Sequence, residues 1–239
     1  MSGHSKWSTI KRKKGAADAK RGVIFTRLSK DITLAAREGG GSIEMNPALR
    51  LAVKKAKTSN MPSANIERAI KKGTGELPGI KYENFEYEGY GPHSVAILIE
   101  VMTDNKNRTL PEIRSIMTKN GGNLGESGCV NWMFEKKGIF TIKTDVVNED
   151  RLMEILEDAN VEDIIFDDYL FEIIVLSDDF KSISNIFDDN QIEYDGEISL
   201  VPQNLVQLNL EEANQVVKLL ENIENHEDVQ KVHTNFQIK

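Results

Sequence analysis

The chain has a single cysteine, Cys129, in 239 residues, which excludes an internal disulfide and a multi-cysteine zinc site. Long apolar runs are also missing. A stretch such as Val95–Ile99 falls far short of the ~20 residues a membrane-spanning helix needs. The opening residues Met1-Ser2-Gly3-His4-Ser5-Lys6-Trp7 hold no apolar core of a secretory leader, so the chain is expected to be cytoplasmic, with no membrane partner. The four histidines, His4, His93, His226 and His233, show no metal-ligand spacing, and Cys129 has no sequence-local partner to activate it. No G-x-x-x-x-G-K-[ST] phosphate loop occurs. The acidic pairs Asp167-Asp168, Asp178-Asp179 and Asp188-Asp189 fall at expected turns and helix ends, where carboxylates are solvated. No catalytic residue, metal or cofactor is expected.

What is present is a strong division of charge. The net charge of −8 conceals residues 1–81, with 18 Lys+Arg against 6 Asp+Glu, and a remainder with 12 against 32. A basic segment attached to an acidic body points to a nucleic-acid-facing region. Hydrophobic content of 39% with 28% charged is ordinary for a protein that buries cores, and the length suits one to three domains.

The basic segment reads as helices. From Ala16 to Glu38, Ile24, Phe25, Leu28, Ile32, Ala35 and Ala36 share one side of a helix, while Lys20, Arg27, Lys30 and Arg37 gather on another, with Arg21 near the apolar face. A second helix starts at Asn46-Pro47, a cap followed by proline at the first helical position. It buries Leu49, Ala52, Val53 and Ala56 beside a stripe of Arg50, Lys54 and Lys57. In a third, from Pro62-Ser63 to Gly73, Ile66 and Ile70 oppose Arg68, Lys71 and Lys72. Before them lies a basic arm, Lys6 and Trp7 followed by Lys11, Arg12, Lys13 and Lys14. Closely spaced cations displace counterions from a phosphate backbone, and Trp7 is placed to stack on a base or anchor the arm. Solvated helix faces carry the same composition; three basic faces plus an arm favour phosphate. Charge alone does not separate DNA from RNA.

A linker at Gly73–Gly79 leads into two strands, Phe85–Tyr90 and Val95–Met102, and a helix expected to start at Thr109-Leu110-Pro111-Glu112, which has capping-box spacing. Strand candidates Trp132–Phe134 continuing to Ile139–Ile142, then Asp163–Phe166, Leu170–Leu176 and Ile198–Val201 alternate with two helices in the order β-α-β-β-α-β, a ferredoxin-like pattern. Residues 144–199 hold 18 acidic and 2 basic side chains. A strand at Leu205–Leu208, a helix capped at Asn209 and a strand through Val229, Val232 and Phe236 follow. The fold expected is α+β and multidomain: a basic helical domain with linker (1–81), a discontinuous α/β domain (82–130 plus 203–239) and an acidic ferredoxin-like domain inserted into it (131–202).

Three further stretches invite a ligand. Gly121–Gly128 follows a helix and leads to a strand, the reverse of a phosphate-binding order, so a structural turn is favoured. Asp104–Thr109 either holds a ligand at a helix N-terminus or simply satisfies that helix end. Tyr87–Pro92 reads as strand and turn, with tyrosines available to a partner if exposed.

Several blocks together resemble the YebC family: Gly3–Trp7, Asp18–Gly22, Asn60-Met61-Pro62 with Asn65–Gly73, Tyr87–Pro92, Thr103–Thr109, Gly121–Glu126 and Ser199–Pro202. The resemblance implies three domains, the third inserted into the second. It implies either a cytoplasmic, DNA-binding regulator of transcription or a ribosome-associated translation factor that relieves stalling at proline runs. The latter is the description given to members that include the mitochondrial translational activator of cytochrome oxidase. Members often carry two glycines after the Gly-Pro turn, where this chain has His93-Ser94, and a histidine where it has Arg12.

The expected activity is therefore non-enzymatic regulation of gene expression through nucleic acid, DNA or ribosomal RNA. The expected contacts are Lys6, Trp7, Lys11, Arg12, Lys13, Lys14, Lys20, Arg21, Arg27, Lys30, Lys54, Lys57, Arg68, Lys71 and Lys72. The rival is an adaptor whose basic domain binds an acidic protein.

Overall fold

The computed structural model describes residues 19–78, 82–166 and 169–239. A helical region is followed by sheet-containing regions, an α+β architecture. The described residues form two compact units, 19–129 with 214–232 and 130–213 with 233–239.

In the first unit, α1 (Ala19–Gly39), α2 (Pro47–Thr58) and α3 (Ser63–Gly73) enclose one core. Leu28, Ile32, Ala35 and Ala36 of α1 meet Leu49, Ala52, Val53 and Ala56 of α2 and Ile66 and Ala69 of α3, with Phe25 and Ile70 at the margin. The sequence spacing puts Ile24 with this set, yet it is 41% exposed. The core begins only at Leu28, so the first turns of α1 extend beyond what α2 and α3 cover. Asn46 sets the α1–α2 corner. Its Oδ1 accepts from the Leu49 amide at 3.0 Å, while its Nδ2 donates to the carbonyls of Ala35 (2.7 Å) and Gly40 (2.9 Å). An amide side chain has the acceptor needed to cap one helix start and the two N–H donors needed to satisfy two carbonyls at the end of another. Where α3 ends, it runs so close to α1 that a Cβ on Gly73 would lie 2.5 Å from the Thr33 carbonyl oxygen. Glycine is the residue that permits this approach.

The same unit contains β1 (Glu83–Tyr90) and β2 (Ala96–Thr103), antiparallel from Glu83↔Thr103 to Tyr90↔Ala96. With β3 (Asn123–Leu124) and β9 (Val229–Thr234) they form a sheet in the order β3-β1-β2-β9. Helix α4 (Lys106–Lys119) starts three residues before the expected Thr109. Asn105 is its cap, accepting from the Arg108 amide at 3.1 Å, and Thr109 is instead buried. Pro111 thus sits inside the helix, where it has no N–H for the carbonyl of Asn107. The stretch after α4 is the structural turn that its place between a helix and a strand favours. Gly121 adopts φ +79, β3 pairs with β1, and Gly125 N donates to the Glu88 carbonyl at 2.8 Å. Tyr87 is buried, and the Tyr90 hydroxyl donates to the Cys129 carbonyl at 3.1 Å. The tyrosines are structural because the strand's inward face and the following turn claim them.

In the second unit, β4 (Phe134–Lys143), α5 (Glu149–Leu156), β5 (Asp163–Phe166), β6 (Leu170–Leu176), α6 (Phe180–Asp189) and β7 (Asp195–Pro202) give an antiparallel sheet ordered β5-β6-β4-β7. That order, with β5 and β7 at the edges, is the ferredoxin-like arrangement the element sequence predicts. Its core stacks Phe140 on Phe180, with centroids 4.6 Å apart, over Leu152, Ile173, Ile183 and Phe187. Strands β8 (Val206–Leu208) and β10 (Phe236–Ile238) form a parallel pair. Helix α7 (Leu210–Glu224), whose residues from 214 onward belong to the first unit, opens with a reciprocal capping box between Asn209 and Glu212, at 2.8 and 2.9 Å. Among the described residues no helix is long and apolar enough to cross a membrane.

Candidate nucleic-acid interface

The expected contact residues meet different fates. Lys6, Trp7, Lys11, Arg12, Lys13 and Lys14 lie outside the described residues, and Lys20 and Arg21 belong to the first turn of α1. Lys54 and Lys57 on α2 and Arg68 and Lys71 on α3 are exposed, and Lys72 is half-buried. A cavity of about 190 Å³ is lined by Ser29 and Thr33 of α1, by Asn65, Arg68 and Lys72 of α3, and by Tyr82. Residues 65, 68 and 72 fall on one helical face, so the 3.6-residue period itself brings an amide and two cations to this hollow. Burial, then the carboxylates of Asp104 and Asp228, push the Tyr82 phenol up, so it is retained as a hydroxyl donor. An arrangement of two cations, an amide and a phenol suits a phosphate group, and the aromatic ring suits an unstacked base.

Lys30 and Arg27 do not serve that surface. Lys30 is 4% exposed. Its ammonium donates to Asp228 Oδ1 at 2.6 Å and to the carbonyls of Met102 and Glu227, both at 3.0 Å. Its three N–H donors are thereby engaged. Arg27 is half-buried and donates to the Glu224 carbonyl. Burial pulls its guanidinium pKa down, against Glu224 and Asp31. A helical projection shows only that these side chains leave the apolar stripe of α1. It does not show that strand β2 and the chain near residue 228 lie there.

Asp228 is the centre of a buried polar cluster. Its Oδ2 accepts from Thr109 (2.7 Å), Arg108 (2.9 Å) and Thr103 (3.1 Å). Burial alone would raise its carboxyl, but bonds from Lys30, Thr109 and Arg108 hold it well below the usual carboxylate range. The Asp228 amide donates to His226 Nδ1 at 3.1 Å, which leaves the ring proton on Nε2, 2.9 Å from Glu112 Oε2. Arg108 also reaches Asp104 at 3.1 Å. The stretch 104–109 therefore satisfies its own helix end and supports the cluster. The Lys30 ammonium lies 5.5 Å from the Tyr82 ring centroid, so the cluster also seats one wall of the cavity. Sequence reasoning missed Tyr82, Asp228, Thr103 and the role of Thr109. Nothing local marks residue 228 as the partner of residue 30.

The thiol of Cys129 is half-buried and pushed up by burial and by Glu88, the opposite of an activated nucleophile. Among the described residues no group of three or more His, Cys, Asp or Glu side chains could hold a metal ion.

Comparison with known proteins bears on the whole chain. Residues 5–76 match the family described as the TACO1/YebC protein N-terminal domain, and residues 82–236 match the TACO1/YebC second and third domain. A protein of Syntrophobacter fumaroxidans is 54% identical over 240 residues, covering 100% of this chain and 96% of its own length. One of Desulfosudis oleivorans is 52% identical over 239 residues, covering 100% and 97%. Both are named "Probable transcriptional regulatory protein". The crystal structure of a conserved hypothetical protein from Aquifex aeolicus superposes with a TM-score of 0.82 at 41% identity, covering 93% of this chain and 92% of that one.

Proposed function

This chain belongs to the YebC family, and on that premise we propose that it is a non-enzymatic, cytoplasmic regulator of gene expression that binds nucleic acid through α2 and α3. The observation that carries the reading is the hollow where Arg68 and Lys72 converge with Asn65 and Tyr82. The exposed Lys54, Lys57 and Lys71 add phosphate affinity around it. The relatives' names support a transcriptional role and hence duplex DNA. The hollow, sized for one phosphate or base, favours RNA, whose unpaired nucleotides are the ones available to enter it. The acidic unit repels nucleic acid and so orients the protein on its target.

The test is co-sedimentation of the full chain with ribosomes from its own cell lysate over a salt series, beside retention on duplex DNA. Salt-sensitive comigration with ribosomes, lost in an Arg68→Glu/Lys72→Glu variant, assigns the function to translation. Absence from ribosomal fractions with salt-sensitive retention on duplex, lost in the same variant, assigns it to transcription. Binding to neither at low salt defeats the reading, and a complex with an acidic protein that survives nuclease would replace it with the adaptor.

A further inference from the structure

The acidic unit carries an open groove of about 850 Å³ between α5 and β5. Its floor includes Met153, Ile164 and Phe166, and its rim includes Asp150, Glu157 and Asp163. Two of the floor side chains are unusually uncovered, Met153 at 49% and Phe166 at 42% exposure. Beside them β5 is an edge strand, paired among the described residues only on its β6 side. Isolated exposed apolar residues need no explanation, but an apolar floor continuous with an unpaired strand edge does.

We propose that this groove receives a lysine- and arginine-rich amphipathic segment of a partner protein. The choice of occupant follows from charge. Glu154 and Glu162 also line the groove, and among the described residues the cations paired to them are Arg151 (2.7 Å) and Lys137 (2.8 Å). Five carboxylates against two cations leave the rim negative, within a stretch of 18 acidic and 2 basic side chains. A nucleic acid or an acidic peptide is repelled there. A purely cationic segment would leave the floor wet, and a purely apolar one would strand the carboxylates against it. A segment with apolar side chains on one face and cations flanking them satisfies both, the arrangement of helix-in-groove recognition. The site is separate from the basic hollow of α1 and α3, so the proposal stands whichever nucleic acid that hollow takes.

The test measures binding of two short labelled peptides of equal charge to the full-length protein, one of leucine and lysine in amphipathic spacing, the other of serine and lysine. The leucine peptide is expected to bind at least about tenfold more tightly. Met153→Ser, which removes floor without altering charge, and Glu157→Gln/Asp163→Asn, which neutralise rim, are each expected to weaken it by about tenfold. Glu193→Gln/Asp195→Asn, at the start of β7 on the sheet edge opposite β5, serves as the control and is expected to leave binding unchanged. Unaltered thermal melts of these surface variants confirm that each is folded. Equal binding of the two peptides, wild-type affinity in Met153→Ser, or an equal loss in the β7 control would overturn the proposal in favour of diffuse charge attraction. A concentration-dependent dimer of the wild-type chain that Met153→Ser dissolves would overturn it in favour of a second copy in the groove.

Discussion

Lys30 and Asp228 lie 198 residues apart in sequence and 2.6 Å apart in space, with side chains 5% and 2% exposed. A cation on the first helix is thereby neutralised by a carboxylate beside the strand that closes the sheet next to β2. A buried ion pair adds little stability in itself, but removing one member leaves the other charged in a dry site. Lys30→Met is therefore expected to destabilise the first unit by about 3–5 kcal/mol. Asp228→Asn should cost a comparable amount, because Lys30 and Arg108 then lose their counter-charge. The double variant Lys30→Met/Asp228→Leu should be less damaged than the two losses added together. Urea unfolding followed by far-UV circular dichroism checks all three.

The same carboxylate sets an acid limit. Its folded pKa lies below the ~3.9 of an unfolded aspartate. Between the two values the unfolded chain binds the proton first, so stability rises with pH through that window. The contribution is whole above about pH 5 and is lost progressively as pH falls below about 4. In Asp228→Asn the decline in stability from pH 6 to pH 3 should be shallower than in the wild type, as read from urea midpoints at each pH.

Asn46 tests the corner of the helical region. Asn46→Asp keeps the acceptor for the Leu49 amide but sets a carboxylate against the carbonyls of Ala35 and Gly40, at 2.7 and 2.9 Å from the present nitrogen. A loss of about 2–3 kcal/mol is expected, although aspartate is as good an N-cap as asparagine elsewhere. An unchanged thermal midpoint would contradict the assigned role.

The turn between β1 and β2 holds His93 at φ 59 and Ser94 at φ 60, the left-handed region that favours glycine. Ser94→Gly should stabilise the chain by about 0.5–1 kcal/mol through relief of that conformation. His93→Gly should gain less, since it gives up a 3.2 Å bond between its Nε2 and Gln215. Differential scanning calorimetry of the two variants orders them.

On the basic surface, Arg68→Gln and Lys72→Gln should each lower the magnitude of the salt slope of nucleic-acid binding by about one and weaken it across sequences. Tyr82→Leu should instead leave the slope unchanged and weaken single-stranded targets selectively, by about 1–3 kcal/mol if a base stacks there. Fluorescence anisotropy with duplex and single-stranded probes separates the two effects.

The legibility of these features follows their range along the chain. The apolar face Leu49, Ala52, Val53 and Ala56, the cap at Asn46, the capping box at Asn209 and strands such as Asp163–Phe166 are local patterns, and the structure contains them as read. The start of α4 was obscured because Thr109-Leu110-Pro111-Glu112 imitates a capping box, while Asn105 caps the helix and Asp228 claims the threonine. Lys30 looked like surface because a helical wheel has no knowledge of residue 228. Tyr82, beside a linker, gave no periodic signal at all. Cations counted along a sequence overstate an interface by those that the fold takes inward.

The pairing of residue 30 with residue 228 also has a consequence in time. At a synthesis rate of 5–20 residues per second, roughly 10–40 s separate the two residues during translation. Through that interval α1 carries an ammonium whose resting place does not yet exist. The helical region thus begins life with more uncompensated positive charge than it finally shows, and its last buried bonds mark the moment the sheet receives its far strand.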